Sequence, residues 1–453
     1  MIRVPAVVLR PLSAAAVLFC ALASHALAAG APPSAPGLPD HLTLAEALAL
    51  ANGPHPDLTV ARADVQAARA ERLAADANMG FNASLDARGV WVDPSPVAPN
   101  QSHNDSSASV LLTKRLYDFG HTGALRSAAE AATRGSELQY TDVRNRHRIA
   151  VLARYFDVLL ADQKFAVTDQ AMAVAYVSFD RVRDRHKLKQ VSDITLLESQ
   201  NTYERARTAR YAAEAAQRTT RARLADALDR PGSLPSTLET PRLPGIARPL
   251  PDVDDLVSQA MDENPLILAM HQELRAARER LAAARTSGGP VLSAEAEAAD
   301  YNREFGSRDR WRGGVILNVP LFTGGSVDAA VGKAQAALER VTGRLGQARL
   351  RVRQAVLDAW ENLHTLRAKR QEDKVLLDYR DLYLDRARAL YQLEVRTDLG
   401  DSMVRYTEAQ LQHARTRYRM ALDWARLAAL TGNSKYNPWA APAGAKAKED
   451  SKQ

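Results

Sequence analysis

The sequence predicts a mainly α protein built twice over, each copy joining a β-strand hairpin to a very long helical hairpin. Two observations carry this. The run Leu112-Thr113-Lys114-Arg115-Leu116-Tyr117-Asp118-Phe119-Gly120 returns 205 residues later as Leu317-Asn318-Val319-Pro320-Leu321-Phe322-Thr323-Gly324-Gly325, and Tyr155 returns as Trp360 at the same offset. No proline occurs between Pro99 and Pro231 or between Pro320 and Pro438, and a proline inside a helix costs about 3 kcal/mol. A repeat this long, mixing strands with oversized helices, fits neither a compact globular domain nor a short-repeat solenoid.

The amino terminus comes first in chain order. Arg3 and Arg10 precede a short apolar run from Ala14 to Ala23, and Ala26-Leu27-Ala28 supplies small residues for cleavage, the pattern of a secretory signal peptide over residues 1–28. The single cysteine, Cys20, lies inside it, so the mature chain is expected to hold no disulfide and no thiolate metal site. Phe19 stands where a lipoprotein signal carries a small residue, which argues against lipid attachment at Cys20. Loss of Arg3 and Arg10 lowers the formal net charge from +7 to +5. That mild excess, with acids interleaved throughout, describes solvated helix faces and not a nucleic-acid surface. No apolar run after the signal approaches the roughly 20 residues of a membrane helix, so a membrane crossing would require a closed β-barrel.

Punctuation divides the rest. A Pro-rich leader (residues 29–39) precedes a first repeat at 40–230, a Pro/Gly/Ser-rich linker at 231–251, a second repeat at 252–432 and a tail at 433–453 expected to be disordered. Each repeat opens with a short helix, an X-Pro break (His55-Pro56, then Asn264-Pro265) and a second helix. Strands are expected at about 80–91, 106–117, 291–302 and 311–322. In the first, Phe81, Ala83, Leu85, Ala87 and Trp91 alternate with Asn82, Ser84, Asp86 and Arg88; in the third, Leu292, Ala294, Ala296 and Ala298 alternate with Ser293, Glu295 and Glu297. This is period two. A hairpin in a soluble sheet explains the alternation equally well, but the strands also reach the roughly 9–11 residues needed to cross a bilayer when tilted. Two hairpins cannot close a barrel, since the smallest use about 8 strands, so several chains would have to pool theirs. Asn82, Ser84, Asp86, Arg88, Glu295 and Glu297 would then face the lumen.

Long helices are expected at about 122–188, 192–229, 326–393 and 397–431; the first would span roughly 100 Å at about 1.5 Å per residue. Its apolar residues form two seams, Ile149, Leu152, Phe156 and Leu159 beside Val151, Tyr155 and Val158, and the second copy shows Val352, Val356, Ala359, Leu363 and Leu366. Two seams imply helices packed on both flanks, as in a ring. Gln190-Val191-Ser192-Asp193 and Val395-Arg396-Thr397-Asp398 read as turns with a helix cap, making each pair a hairpin.

In this combination the chain resembles the TolC family of outer-membrane efflux and secretion channels, over the whole mature length to about Gly432. The resemblance implies a fold that is mainly α with transmembrane β: a homotrimeric 12-stranded β-barrel in outer-membrane lipid, continued by a periplasmic α-helical barrel. It implies passive conduction in a tripartite efflux pump or type I secretion system, with a periplasmic adaptor (membrane fusion) protein and an inner-membrane transporter docked at the helical tips. The family's Val-Gly tip motif falls on Leu188-Lys189-Gln190 and Leu393-Glu394-Val395, without the glycines. The family's constricting aspartates fall on Gly400 and Met403; Asp398 and Asp401 stand close enough to substitute, with Arg396 and Arg405 as expected pairing partners, and ordinary helix-start acids and surface ion pairs account for all four equally well. A soluble periplasmic coiled-coil adaptor or scaffold is the alternative.

Enzyme chemistry finds no motif. The ten histidines are scattered, none in His-Glu-x-x-His, and His55, beside a proline, reads as a loop residue. Gly332-Lys333 fails as a phosphate loop because Val327 replaces the earlier glycine and Ala334 the hydroxyl. Catalytic residues, cofactors and metal ligands are therefore expected to be absent.

Overall fold

The computed structural model describes residues 38, 40–233, 237–303, 308–393, 395 and 398–437. The expected signal peptide, nearly all of the leader, the tail beyond Asn437, and Glu394, Arg396 and Thr397 lie outside these residues. In chain order the elements are β1 (His41–Leu42), α1 (Leu44–Leu50), α2 (Pro56–Ala77), β2 (Phe81–Arg88), β3 (Ser107–Tyr117), α3 (His121–Lys187), α4 (Asp193–Ala227), β4 (Thr237–Leu238), α5 (Val253–Glu263), α6 (Pro265–Thr286), β5 (Val291–Tyr301), β6 (Trp311–Asn318), α7 (Ser326–Gln392) and α8 (Leu399–Leu430).

The duplication is carried into three dimensions residue for residue. Helices α3 and α7 both have 67 residues. Each begins after two successive left-handed residues, Phe119 (φ 52°) and Gly120 (φ 95°) in the first copy, Gly324 (φ 59°) and Gly325 (φ 80°) in the second. This turn redirects the chain from strand to helix, and glycine adopts it without a Cβ penalty. Pro56 and Pro265 occupy the first turn of α2 and α6, where a missing N–H costs nothing. Asn264 caps α6 through Leu266 N and Ile267 N, whereas His55 caps α2 through Nδ1, which accepts from Asp57 N.

The four long strands form one antiparallel sheet, β2-β3-β5-β6. Two strands are shorter than the alternation suggests. β2 stops at Arg88, Trp91 retaining only an isolated bridge to Asn104; β6 stops at Asn318, just before Pro320, which has no N–H to give a ladder.

Along the helical wall, α4, α3, α8 and α7 pack in that order towards the hairpin tips, and α2, α3, α6 and α7 towards the sheet. Both seams of α3 are buried at its middle: Val151, Leu152, Tyr155, Phe156, Val158 and Leu159. In α7 only the seam of Val352, Val356, Ala359 and Leu363 is buried within the chain, and Leu350, Val375 and Leu382 on other faces are exposed. The expected linker is largely ordered here, because Leu238, Leu243 and Ile246 have core positions to fill. β4 pairs in parallel with β1. Tyr155 Oη donates to Leu42 O (2.9 Å) and Glu239 O (2.6 Å), fixing both strands to α3; its counterpart Trp360 donates Nε1–H to Pro251 O (3.0 Å). The start of the expected disordered tail also folds back, Tyr436 stacking on the buried Trp424.

Candidate channel lining and periplasmic tip

The sheet register sorts the strand residues onto two faces. Phe81 opposes Lys114, Ala83 opposes Leu112 and Leu85 opposes Val110; on the same face Ala294, Ala296 and Ala298 of β5 oppose Val315, Gly313 and Trp311 of β6. Phe81, Leu85, Val110, Leu112, Val315 and Trp311 are all exposed, so one side of the sheet is an apolar band. Its charges sit at the ends: Asp300 at one, and at the other Lys114, whose ammonium lies 4.2 Å above the Phe81 ring. A long cationic side chain can hold its stem on apolar surface while its head reaches water.

The opposite face collects the residues expected in the lumen. Asn82 opposes Thr113, which opposes Glu295; Ser84 opposes Leu111, which opposes Glu297; Asp86 opposes Ser109 and Arg88 opposes Ser107. The sequence reading did not include Arg312, which opposes Glu297 and donates Nη2–H to its Oε2 at 2.5 Å. Glu295 instead opposes Gly314, a residue with no side chain. Thus of the three carboxylates on this face, Asp86, Glu295 and Glu297, Glu297 is the one held by an arginine on the next strand. At the far end, Arg308 binds Asp105 through two bonds of 2.7 and 3.2 Å and ties the two hairpin loops together.

At the strand-to-helix junction Asp118 is buried two residues before Gly120, the N-cap of α3, and serves the helix's first turn in place of the side chain that glycine lacks. Its Oδ2 accepts from Thr122 N (2.9 Å) and from the Thr122 hydroxyl. Burial opposes its ionisation, but both Thr122 bonds and the Arg115 cation outweigh this and hold its carboxyl below the usual carboxylate range.

The tips keep the geometry that the missing glycines would have supplied. Leu188 ends α3, Lys189 adopts φ 57°, Lys189 N donates to His186 O (2.8 Å) and Gln190 N to Arg185 O (2.9 Å). This pair of bonds is a Schellman motif with lysine in the left-handed position. In the second copy Val395 N donates to Leu390 O (3.0 Å), the same bond 205 residues on; Glu394 lies outside the described residues. Leu188, Leu393 and Val395 are 69, 70 and 66% exposed, and Ile194 and Leu197 join them at the end of the first hairpin.

Beyond the tips the copies diverge. Ser192 caps α4 by accepting from Thr195 N, and Asp193 binds His186 Nε2 at 2.6 Å across the turn. Asp398 occupies the cap position of α8 without a side-chain cap, contrary to the expected capped turn, because its backbone (φ −92°, ψ 14°) is not extended; its Oδ2 accepts from Tyr383 Oη at 3.4 Å. Its Oδ1 is buried with no hydrogen-bond partner among the described residues. The expected pairing with Arg405 is not formed: Asp401 and Arg405 are exposed side chains on α8, Asp398 is engaged by Tyr383, and Arg396 lies outside the described residues. Gly400, where the first copy has Thr195, permits a close helix approach, since a Cβ there would lie 2.8 Å from Val174 Cγ2 of α3.

A family model described as outer membrane efflux protein matches residues 47–230 and 256–433, one match to each repeat. The chain belongs to this family. It is an outer-membrane channel for efflux or secretion that extends into the periplasm. Protein CyaE of Bordetella pertussis is 29% identical over 351 residues, covering 75% of this chain and 73% of that protein. The outer membrane protein VceC of Vibrio cholerae has the same fold, with a TM-score of 0.68 at 15% identity over 86% of this chain and 96% of that one. So does the MtrE outer membrane channel of Neisseria gonorrhoeae in its open state, with a TM-score of 0.66 at 17% identity over 88% and 91%. In an outer membrane efflux protein three chains with four strands each close a barrel of twelve. The apolar band then meets lipid and the polar face surrounds the pore.

Proposed function

We propose that this outer membrane efflux protein is the exit duct of a tripartite efflux pump or type I secretion system, passing cargo unchanged from partners docked at its periplasmic tips. A periplasmic adaptor (membrane fusion) protein and an inner-membrane transporter are those partners. The observation that carries the reading is the exposed leucine at the same turn of both hairpins, Leu188 and Leu393, each at the end of a 67-residue helix. Isolated apolar tips so far from the membrane band have no folding role, and apolar anchors with polar surroundings suit a docking site.

The resting duct closes at the second tip, where Asp398 and Asp401 start α8. Threefold repetition would bring six carboxylates towards the axis, and like charges in a narrow ring attract cations strongly. Conductance of the purified trimer in planar lipid bilayers tests this. Asp398→Ala with Asp401→Ala should raise resting conductance and abolish block by multivalent cations; unchanged conductance and block would overturn the gate assignment. Docking is tested by cross-linking in cells, where Leu188→Asp with Leu393→Asp should remove the adaptor adduct and leave the trimer in the outer membrane.

A further inference from the structure

Near the middle of the first repeat the fold brings together three side chains that sequence spacing does not connect. His55 caps α2, Asp57 stands in its first turn, and His147 lies on the facing side of α3, 92 residues from His55. The two imidazole rings lie 4.1 Å apart, His55 Nδ1 is 3.7 Å from Asp57 Oδ2, and one ligand atom from each of the three lies within 4.8 Å of the others. His147 is buried, His55 nearly so, and Asp57 is 73% exposed at the mouth of a cleft that also holds Asp64 and Arg146.

A second observation separates this cluster from ordinary packing. The equivalent positions of the second repeat are Asn264, Leu266 and Val352, which sit together in the same way around a cleft of their own. Capping is done there by Asn264, a residue type strongly preferred for it, and the α7 position holds an aliphatic side chain. The fold therefore needs neither imidazole. Histidine is a poor exchange for asparagine as a cap, and a buried second imidazole against it costs desolvation.

We infer that His55, Asp57 and His147 bind a divalent transition cation of the Zn²⁺ class, water completing its coordination. Two imidazoles and a carboxylate are the donor set such ions favour. With tetrahedral metal–ligand bonds of about 2.0–2.2 Å, ligand atoms sit roughly 3.3–3.6 Å apart, so the 3.7 Å pair is within a few tenths of an ångström of fitting and His147 must close by about 1–1.5 Å. The cation takes the Nδ1 lone pair of His55 in place of the Asp57 amide. The positive end of the α2 dipole opposes a cation here, Asp57 and Asp64 offset it, and Arg146 is neutralised by Asp142 at 2.8 Å. Bound metal would pin the start of α2 to the middle of α3.

Calorimetric titration of Zn²⁺ into chelator-treated trimer in detergent tests the assignment. Saturable binding of one ion per chain is expected. His55→Asn with His147→Val installs the residues the second repeat already tolerates, and should abolish that binding while the trimer stays intact on a native gel. Asp57→Asn, at an exposed carboxylate, should weaken it more than about tenfold. Absence of saturable binding in the native chain, or undiminished binding in the His55→Asn, His147→Val variant, would overturn the inference.

Discussion

Lys189 holds a backbone conformation, φ 57°, that costs an L-residue roughly 1–2 kcal/mol and glycine almost nothing. The two Schellman bonds that close the first tip keep it there. Lys189→Gly should therefore stabilise the turn by about 1 kcal/mol, a factor of about five, read as slower hydrogen exchange at the Lys189 and Gln190 amides. A β-branched residue at the same place should speed that exchange. Asp118 makes the opposite kind of contribution. Its folded carboxyl titrates below its unfolded value, so its stabilisation is complete above the unfolded pKa of about 3.9 and is lost as pH falls through the folded one. Asp118→Asn keeps an acceptor for Thr122 but removes the charge that strengthens those bonds and faces Arg115, so it should lower the trimer's melting temperature at pH 7, by about 1 kcal/mol of stability, and the gap from the native chain should narrow as pH falls through the folded carboxyl's titration.

Among the elements, α8 shows how one repeat departs from the other. Its start rests directly on α3, at Gly400 against Val174. Alanine in a free helix is about 1 kcal/mol better than glycine, so Gly400→Ala would stabilise α8 if the site were open. Overpacking predicts the reverse, a loss of about 1–3 kcal/mol in the melting of the trimer, with Val174→Ala restoring most of it. A loss of the same size in the double variant would place the cause elsewhere. Element type and order were legible because the 205-residue repeat and the strand alternation are properties of the linear chain. That these residues share one face followed from parity alone, and the register puts Asn82, Ser84, Asp86, Arg88, Glu295 and Glu297 together. Arg312 escaped because pairing with Glu297 depends on hairpin register, which its own strand does not encode. The Asp398–Tyr383 bond and the His55–His147 contact escaped for the same reason at longer range: each joins residues on different helices, 15 and 92 positions apart. The capped turn expected at Asp398 failed because its backbone, at φ −92° and ψ 14°, lacks the extended conformation from which a side chain reaches its own helix's first amides.

For the whole molecule, the single chain is an unfinished wall. β2 and β6 each have a neighbour on one side only, and an unpaired strand edge facing lipid leaves every second N–H and C=O unsatisfied at several kcal/mol each. The helical layer ends in the same sense, α2 and α4 at one margin and α7, with Leu350, Val375 and Leu382 exposed, at the other. Both margins are satisfied at once if β6 and α7 of one chain meet β2 and α2 or α4 of the next. Such an interface joins two different edges, so it is head-to-tail and closes as a ring, not as a two-fold pair. Cysteine pairs test this in a Cys20→Ser background, one from Asn82, Ser84 or Asp86 on β2 and one from Arg312, Gly314 or Ile316 on β6, all on the face opposite the apolar band. Single-cysteine chains should give no disulfide-linked product, while at least one pair should yield dimers and then a covalent trimer on a denaturing gel. Products that stop at the dimer, or cross-linking by either single variant, would require a symmetric edge-to-edge contact and would refute the ring.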